Sequence, residues 1–113
     1  MAKQKPSFYL QLKEKNPKYF AAVEALGEAA RAAGPLDERT LQLVQLAGAA
    51  AERSEGAVHS HVRRAQACGV KPEEIRHALL ALTSTIGFPN VTAALSWAED
   101  VLSEISHPRR ARV

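Results

Sequence analysis

Cysteine occurs once, at Cys68. An intramolecular disulfide is therefore excluded, which fits a reducing compartment and an expected cytoplasmic location. Aromatic residues make up only 5% of the chain, so its core is not built on large rings and no stacking platform for bases is in view. No apolar run reaches the ~18 residues that a membrane span requires. Met1 leads into a polar, basic stretch without the apolar segment of a secretory signal, so no export signal is expected. Strand-like alternation and Asn-Gly hairpin turns are also missing, which argues against a sheet. The formal charge is +3, but Arg109, Arg110 and Arg112 lie in the last five residues. Without that tail the balance is near neutral. Residues 107–113 are expected to form a solvated, frayed basic end rather than a nucleic-acid contact.

What the chain has is alanine and helix punctuation. At 113 residues with 46% hydrophobic content, it is long enough for one globular domain and short enough to gain from oligomerisation. Pro6-Ser7 opens a first helix running to about residue 13. Asn16-Pro17 reads as an N-cap followed by proline at the first helical position. Tyr19, Phe20, Val23, Leu26 and Ala30 then recur at helical spacing until Gly34-Pro35. Asp37 caps a helix from Glu38 to about Ala51 that is apolar on most sides, which predicts burial between several neighbours or in a subunit interface. Ser54 caps the next, which stops at Gly69. Pro72-Glu73-Glu74 starts a helix expected to continue to Gly87, with Ile75, Ala78, Leu79 and Leu82 inward. Pro89-Asn90 opens the last, with Val91, Ala94, Leu95, Ala98, Val101 and Leu102 inward; His107-Pro108 ends it. The expectation is an all-α bundle of five or six helices.

The stretch richest in chemistry runs Ser54-Glu55-Gly56-Ala57-Val58-His59-Ser60-His61-Val62-Arg63-Arg64-Ala65. Ser54, Ala57, Val58 and His61 share one helical face, where small groups leave room beside a titratable ring. His59 lies roughly 200° around the helix from His61, at ~100° per residue. The two rings therefore meet different surroundings, and a local His-x-His metal clamp is disfavoured. Glu55, four residues before His59, forms an i,i+4 pair with it or, as a rival catalytic site, an acid/base couple.

From about Phe8 to Leu102 the chain resembles the carboxymuconolactone decarboxylase family, which includes the alkylhydroperoxidase-D-like proteins. The carrying residues are Leu36-Asp37-Glu38-Arg39-Thr40-Leu41-Gln42-Leu43-Val44, His61-Val62-Arg63-Arg64-Ala65, and Ala67-Cys68-Gly69-Val70-Lys71-Pro72-Glu73-Glu74-Ile75, followed by Gly87-Phe88-Pro89 and Ala93-Ala94-Leu95. The resemblance implies a helical subunit built around an antiparallel helical pair, assembled as trimers or hexamers. In the peroxidase branch of the family a glutamate stands at the position of Gln42, and a Cys-x-x-Cys pair at the positions of Ser54 and Ala57; here only the histidine, His61, is kept. Thiol peroxidase chemistry needs a thiolate and usually a resolving thiol, so that mechanism is rejected for this chain. The decarboxylase branch lacks those cysteines and keeps a histidine. Its reaction removes carbon dioxide from an unsaturated lactone without metal or organic cofactor. By that resemblance His61 is the acid, Arg64 holds a substrate carboxylate in a fork, and Gln42 or Ser54 orients it. An imidazole's ordinary pKa, about 6.5, suits the task.

Other residues read as structure. Glu74-Ile75-Arg76-His77 matches the Glu-x-x-His unit of di-iron bundles, but no second copy is present. Cys68 and Trp97 read as packing residues, and Ala47 to Ala51 as close helix packing. No cofactor and no metal is expected. The first reading is a homo-oligomer performing decarboxylase-like acid/base chemistry on a small carboxylated molecule. The others are a non-catalytic ligand-binding or scaffold protein, and an antioxidant-associated protein without its own thiol site.

Overall fold

The computed structural model describes residues 7–106; the basic tail and Pro6 lie outside them. The described residues are helical with no strand: α1 (Ser7–Lys15), α2 (Pro17–Ala32), α3 (Glu38–Ala51), α4 (Glu55–Ala67), α5 (Pro72–Leu80), the single turn α6 (Thr83–Ile86) and α7 (Phe88–Ser106). This is the all-α class expected. None of these helices is long and apolar enough to cross a membrane. Contacts divide the chain into two compact units, Met1–Pro35 and Leu36–Val113.

In the first unit α1 pairs with α2. The Tyr9 ring meets Phe20 edge-on with centroids 4.9 Å apart, and Lys13 Nζ sits 5.8 Å from the centroid of the Phe20 ring. Phe20 is buried, while Tyr19, Val23 and Leu26 on the same helix are exposed. Asn16 does not cap α2 through its side chain. Its Nδ2 instead donates to the Leu12 carbonyl at the end of α1, so the asparagine closes the preceding helix and proline begins the next.

The second unit holds the expected core. Leu46, Val58, Val62, Ile75, Leu79, Ala94, Ala98 and Leu102 are fully buried in one cluster drawn from α3, α4, α5 and α7. Small residues on α3 and α7, Ala49, Ala50, Ala94 and Ala98, let helices approach where aromatic rings would hold them apart. Trp97 packs against this cluster as expected. Within one chain, Gln42, Leu46, Ala49 and Ala50 of α3 face inward, while Val44 is 55% exposed. α3 is amphipathic within one chain.

The helix ends explain how α3 and α4 are set. Asp37 Oδ1 accepts from the Thr40 amide at 2.9 Å; the Thr40 hydroxyl first, and then this amide, hold the Asp37 carboxyl below its ordinary pKa. At the other end of α3, the Arg53 amide donates to Ala50 O and the Ser54 amide to Ala49 O. That pattern is a Schellman stop, and it forces Arg53 to φ 58, where glycine is usual. An arginine held there marks a fixed turn, tied further by its guanidinium donating to Asn90 Oδ1 on α7. Ser54 ends this stop and begins α4, its Oγ accepting from Ala57 N. α4 closes with the same stop, Gly69 N to Gln66 O and Val70 N to Ala65 O; here Gly69 takes the positive φ. The three residues 52–54 thus return α4 antiparallel along α3.

The continuous helix expected from Pro72 to Gly87 is interrupted. The Thr83 hydroxyl donates to Leu80 O, and Leu82 N bonds Leu79 O one residue short of the α pattern. A threonine competing for a backbone carbonyl breaks the ladder without any glycine or proline.

Candidate functional site

His61 stands on α4 two turns after the Ser54 cap and points toward α3. There its Nδ1 lies 3.3 Å from Gln42 Oε1. Gln42 is 3% exposed, the buried polar residue of the core. Its Nε2 donates at 2.9 Å to Glu38 Oε2, one turn earlier on α3.

This chain of contacts fixes a proton. Ionised Glu38 only accepts hydrogen bonds, so it must face the amide nitrogen of Gln42. The amide oxygen is thereby turned toward His61, and an oxygen can only accept. His61 Nδ1 must then carry hydrogen, and in the neutral ring Nε2 holds the lone pair. Glu38 lies in the first turn of α3, where the helix dipole favours its charge. The amide of Gln42 thus contacts the Glu38 carboxylate through its nitrogen and the His61 imidazole through its oxygen. Gln45, three residues beyond Gln42, has a buried Oε1 with no hydrogen-bond partner among the described residues.

The other proposed members of this site are placed differently. Ser54 uses its hydroxyl as the cap of α4. Ala57 packs against the core, and Arg64 is exposed in the last turn of α4. Gln42 and His61 are thus joined by a hydrogen bond across two helices, while Ser54 and Arg64 do not take part in the Glu38–Gln42–His61 chain. Cys68 is a free, half-buried thiol at the C-cap of α4.

His59 faces the opposite way, as its spacing predicts. Its hydrogen-bonded partner is not Glu55 but Asp100 on α7, with Nε2 to Oδ2 at 2.9 Å. Glu55 stays close: one donor atom from each of Glu55, His59 and Asp100 lies within 4.8 Å of the other two. Asp100 was not visible from the sequence, because 41 residues separate it from its partner. Glu38 did leave a signal, standing four residues before Gln42 on one helix face.

Glu74 and His77 do not form a metal unit. Glu74 accepts from the Lys71 amide at 2.8 Å and from Arg39 Nη2 at 3.2 Å. The Lys71 amide is the larger cause holding the Glu74 carboxyl below its ordinary pKa, with Arg39 adding to it. Arg39 also donates to Gly69 O, so one guanidinium fixes both ends of the α4–α5 turn to α3. Arg76 donates to Glu99 Oε2 at 2.6 Å, joining α5 to α7; this raises the arginine pKa further.

Residues 17–100, from the start of α2 to within α7, match the family model of the carboxymuconolactone decarboxylase family. Searches of curated proteins and of solved structures gave no match.

Proposed function

Since the chain belongs to the carboxymuconolactone decarboxylase family, we propose that it carries out decarboxylase-like acid/base chemistry on a small carboxylated molecule with His61 as the proton carrier. The observation that supports this most is the Glu38–Gln42–His61 chain, which gives one imidazole a defined tautomer within a buried helical pair. A histidine kept only for packing needs no such orienting partner on both sides of an amide.

In the proposed reaction the carbon–carboxylate bond breaks and carbon dioxide leaves. Its electron pair spreads into the unsaturated lactone, and protonated His61 delivers the Nε2 proton to carbon. Nδ1–H stays on Gln42 throughout, so the ring cannot turn while Nε2 exchanges its proton. Arg64 supplies the cation for a substrate carboxylate. Ser54 and Ala57 stand where a thiol mechanism would need sulfur, so peroxidase turnover is not proposed.

We also read the chain as a homo-oligomer of the trimer or hexamer kind. Val44 on α3 and Tyr19, Val23 and Leu26 on α2 are exposed apolar side chains of the sort a subunit contact would cover. Light scattering at micromolar concentration checks this; a monomer contradicts it.

Carboxymuconolactone offered to the purified chain, with release of carbon dioxide followed, tests the activity. His61→Ala is expected to slow turnover about 10²- to 10⁴-fold. Full turnover in that variant removes His61 from the chemistry. A folded chain that binds the lactone without turnover favours the ligand-binding reading instead.

A further inference from the structure

On the far side of α4 from Gln42, three ligand-type side chains from two helices converge. Glu55 lies in the first turn of α4, His59 one turn later, and Asp100 across on α7. The helices that carry them are held rigidly: Val58 and Val62 on α4 are buried with Ala94, Ala98 and Val101 on α7. Two carboxylates brought to within 4.8 Å of one another repel unless a cation stands between them. Among the described residues no lysine or arginine forms an ion pair with either; the ion pairs of Arg39 and Arg76 go to Glu74 and Glu99. The His59 ring stands beside them, 2.9 Å from Asp100.

We propose that Glu55, His59 and Asp100 form a binding site for a divalent transition-metal ion of the zinc type. Two carboxylates and a neutral imidazole carry a net charge of −2, matched to a divalent ion. The imidazole argues against calcium or magnesium, which take oxygen ligands, and in favour of zinc, cobalt or nickel. Bond lengths of about 2.0–2.2 Å to nitrogen and oxygen set two ligands of a tetrahedral ion roughly 3.3–3.5 Å apart. The His59–Asp100 pair is already near that separation. Glu55 is exposed, and its carboxylate lies within 4.8 Å of the other two ligand atoms. Three protein ligands leave a fourth position open to solvent, as in zinc sites that take water or an exogenous ligand. The site is independent of His61, which serves α3 from the other side of the helix.

The test is titration of zinc chloride into the full chain without a polyhistidine tag, followed by calorimetry. One ion per chain is expected. Asp100→Asn and His59→Gln should each weaken binding roughly 10- to 100-fold, the loss that even an outer partner of a metal site brings. His77→Ala, an exposed histidine outside the cluster, should bind as the parent does. Asp100 is exposed, so its variant is expected to fold; circular dichroism checks this. A second measurement needs no variant: zinc should shift the ring resonances of His59 in preference to those of His61 and His77. No saturable binding up to millimolar zinc overturns the proposal. So does binding that survives both substitutions, or zinc-induced shifts that leave His59 unmoved.

Discussion

His59 and His61 stand two residues apart on one helix, yet the structure gives them opposite settings. His61 turns toward α3 and bonds a neutral amide that is 3% exposed. His59 turns toward α7 and bonds a carboxylate whose side chain is 57% exposed. The amide defines which ring nitrogen holds hydrogen. The carboxylate, with Glu55 beside it, sets oxygen ligand atoms next to the ring. One helix thus offers its two histidines different partners on its two sides, a buried amide and an exposed carboxylate. The difference arises from ~200° of helical rotation and from what the neighbouring helices offer.

Substitutions on each face separate the two roles. The largest effect belongs to His61→Ala in lactone turnover, about 10²- to 10⁴-fold, against no change for His77→Ala in the same assay. Next is Gln42→Leu. It keeps the shape but leaves the His61 Nδ1–H without its amide acceptor, and should cost about 1–3 kcal/mol in urea unfolding. A loss below a few tenths of a kcal/mol would show that the Gln42 bond holds nothing in place. Asp100→Asn breaks a pair open to solvent and should cost under about 1 kcal/mol in the same experiment without added metal. A loss equal to that of Gln42→Leu would erase the contrast between buried and exposed faces.

The smallest effect concerns acid. The Lys71 amide, and then Arg39, hold the Glu74 carboxyl below the ordinary carboxylate range. A carboxyl lowered in the folded state adds stability that is fully present above its unfolded pKa. That stability disappears as pH falls through the lowered value. Glu74→Gln should therefore be less stable than the parent near neutrality, and the gap should narrow as the pH drops below about 4.5. A gap that is constant with pH would mean that the ionised form makes no difference.

Most of the helical frame could be read from end signals. Asp37, Ser54 and the Gly69 stop lie where side-chain chemistry and positive φ require them, and the inward residues of α7 follow their spacing. The break between α5 and α6 could not, because Thr83 and Leu80 make it through a side-chain bond that no glycine or proline announces. Which side of α3 meets a neighbour within the chain was not legible, because apolar composition does not say it. At the site, His61 followed from its spacing and Gln42 from the family resemblance. Glu38 lay at a readable i,i+4 distance yet gains meaning only once Gln42 is known to bond His61. Asp100 is set beside His59 by tertiary packing alone, and local spacing had pointed to Glu55 instead.

The account rests on the hydrogen that His61 carries on Nδ1. Long-range proton–nitrogen correlation spectra of the ¹⁵N-histidine-labelled chain, recorded above the pH at which the ring is charged, report that tautomer directly. The Nδ1–H form is expected at His61 in the parent, with the preference lost in Gln42→Leu. A dominant Nε2–H form in the parent would contradict the account.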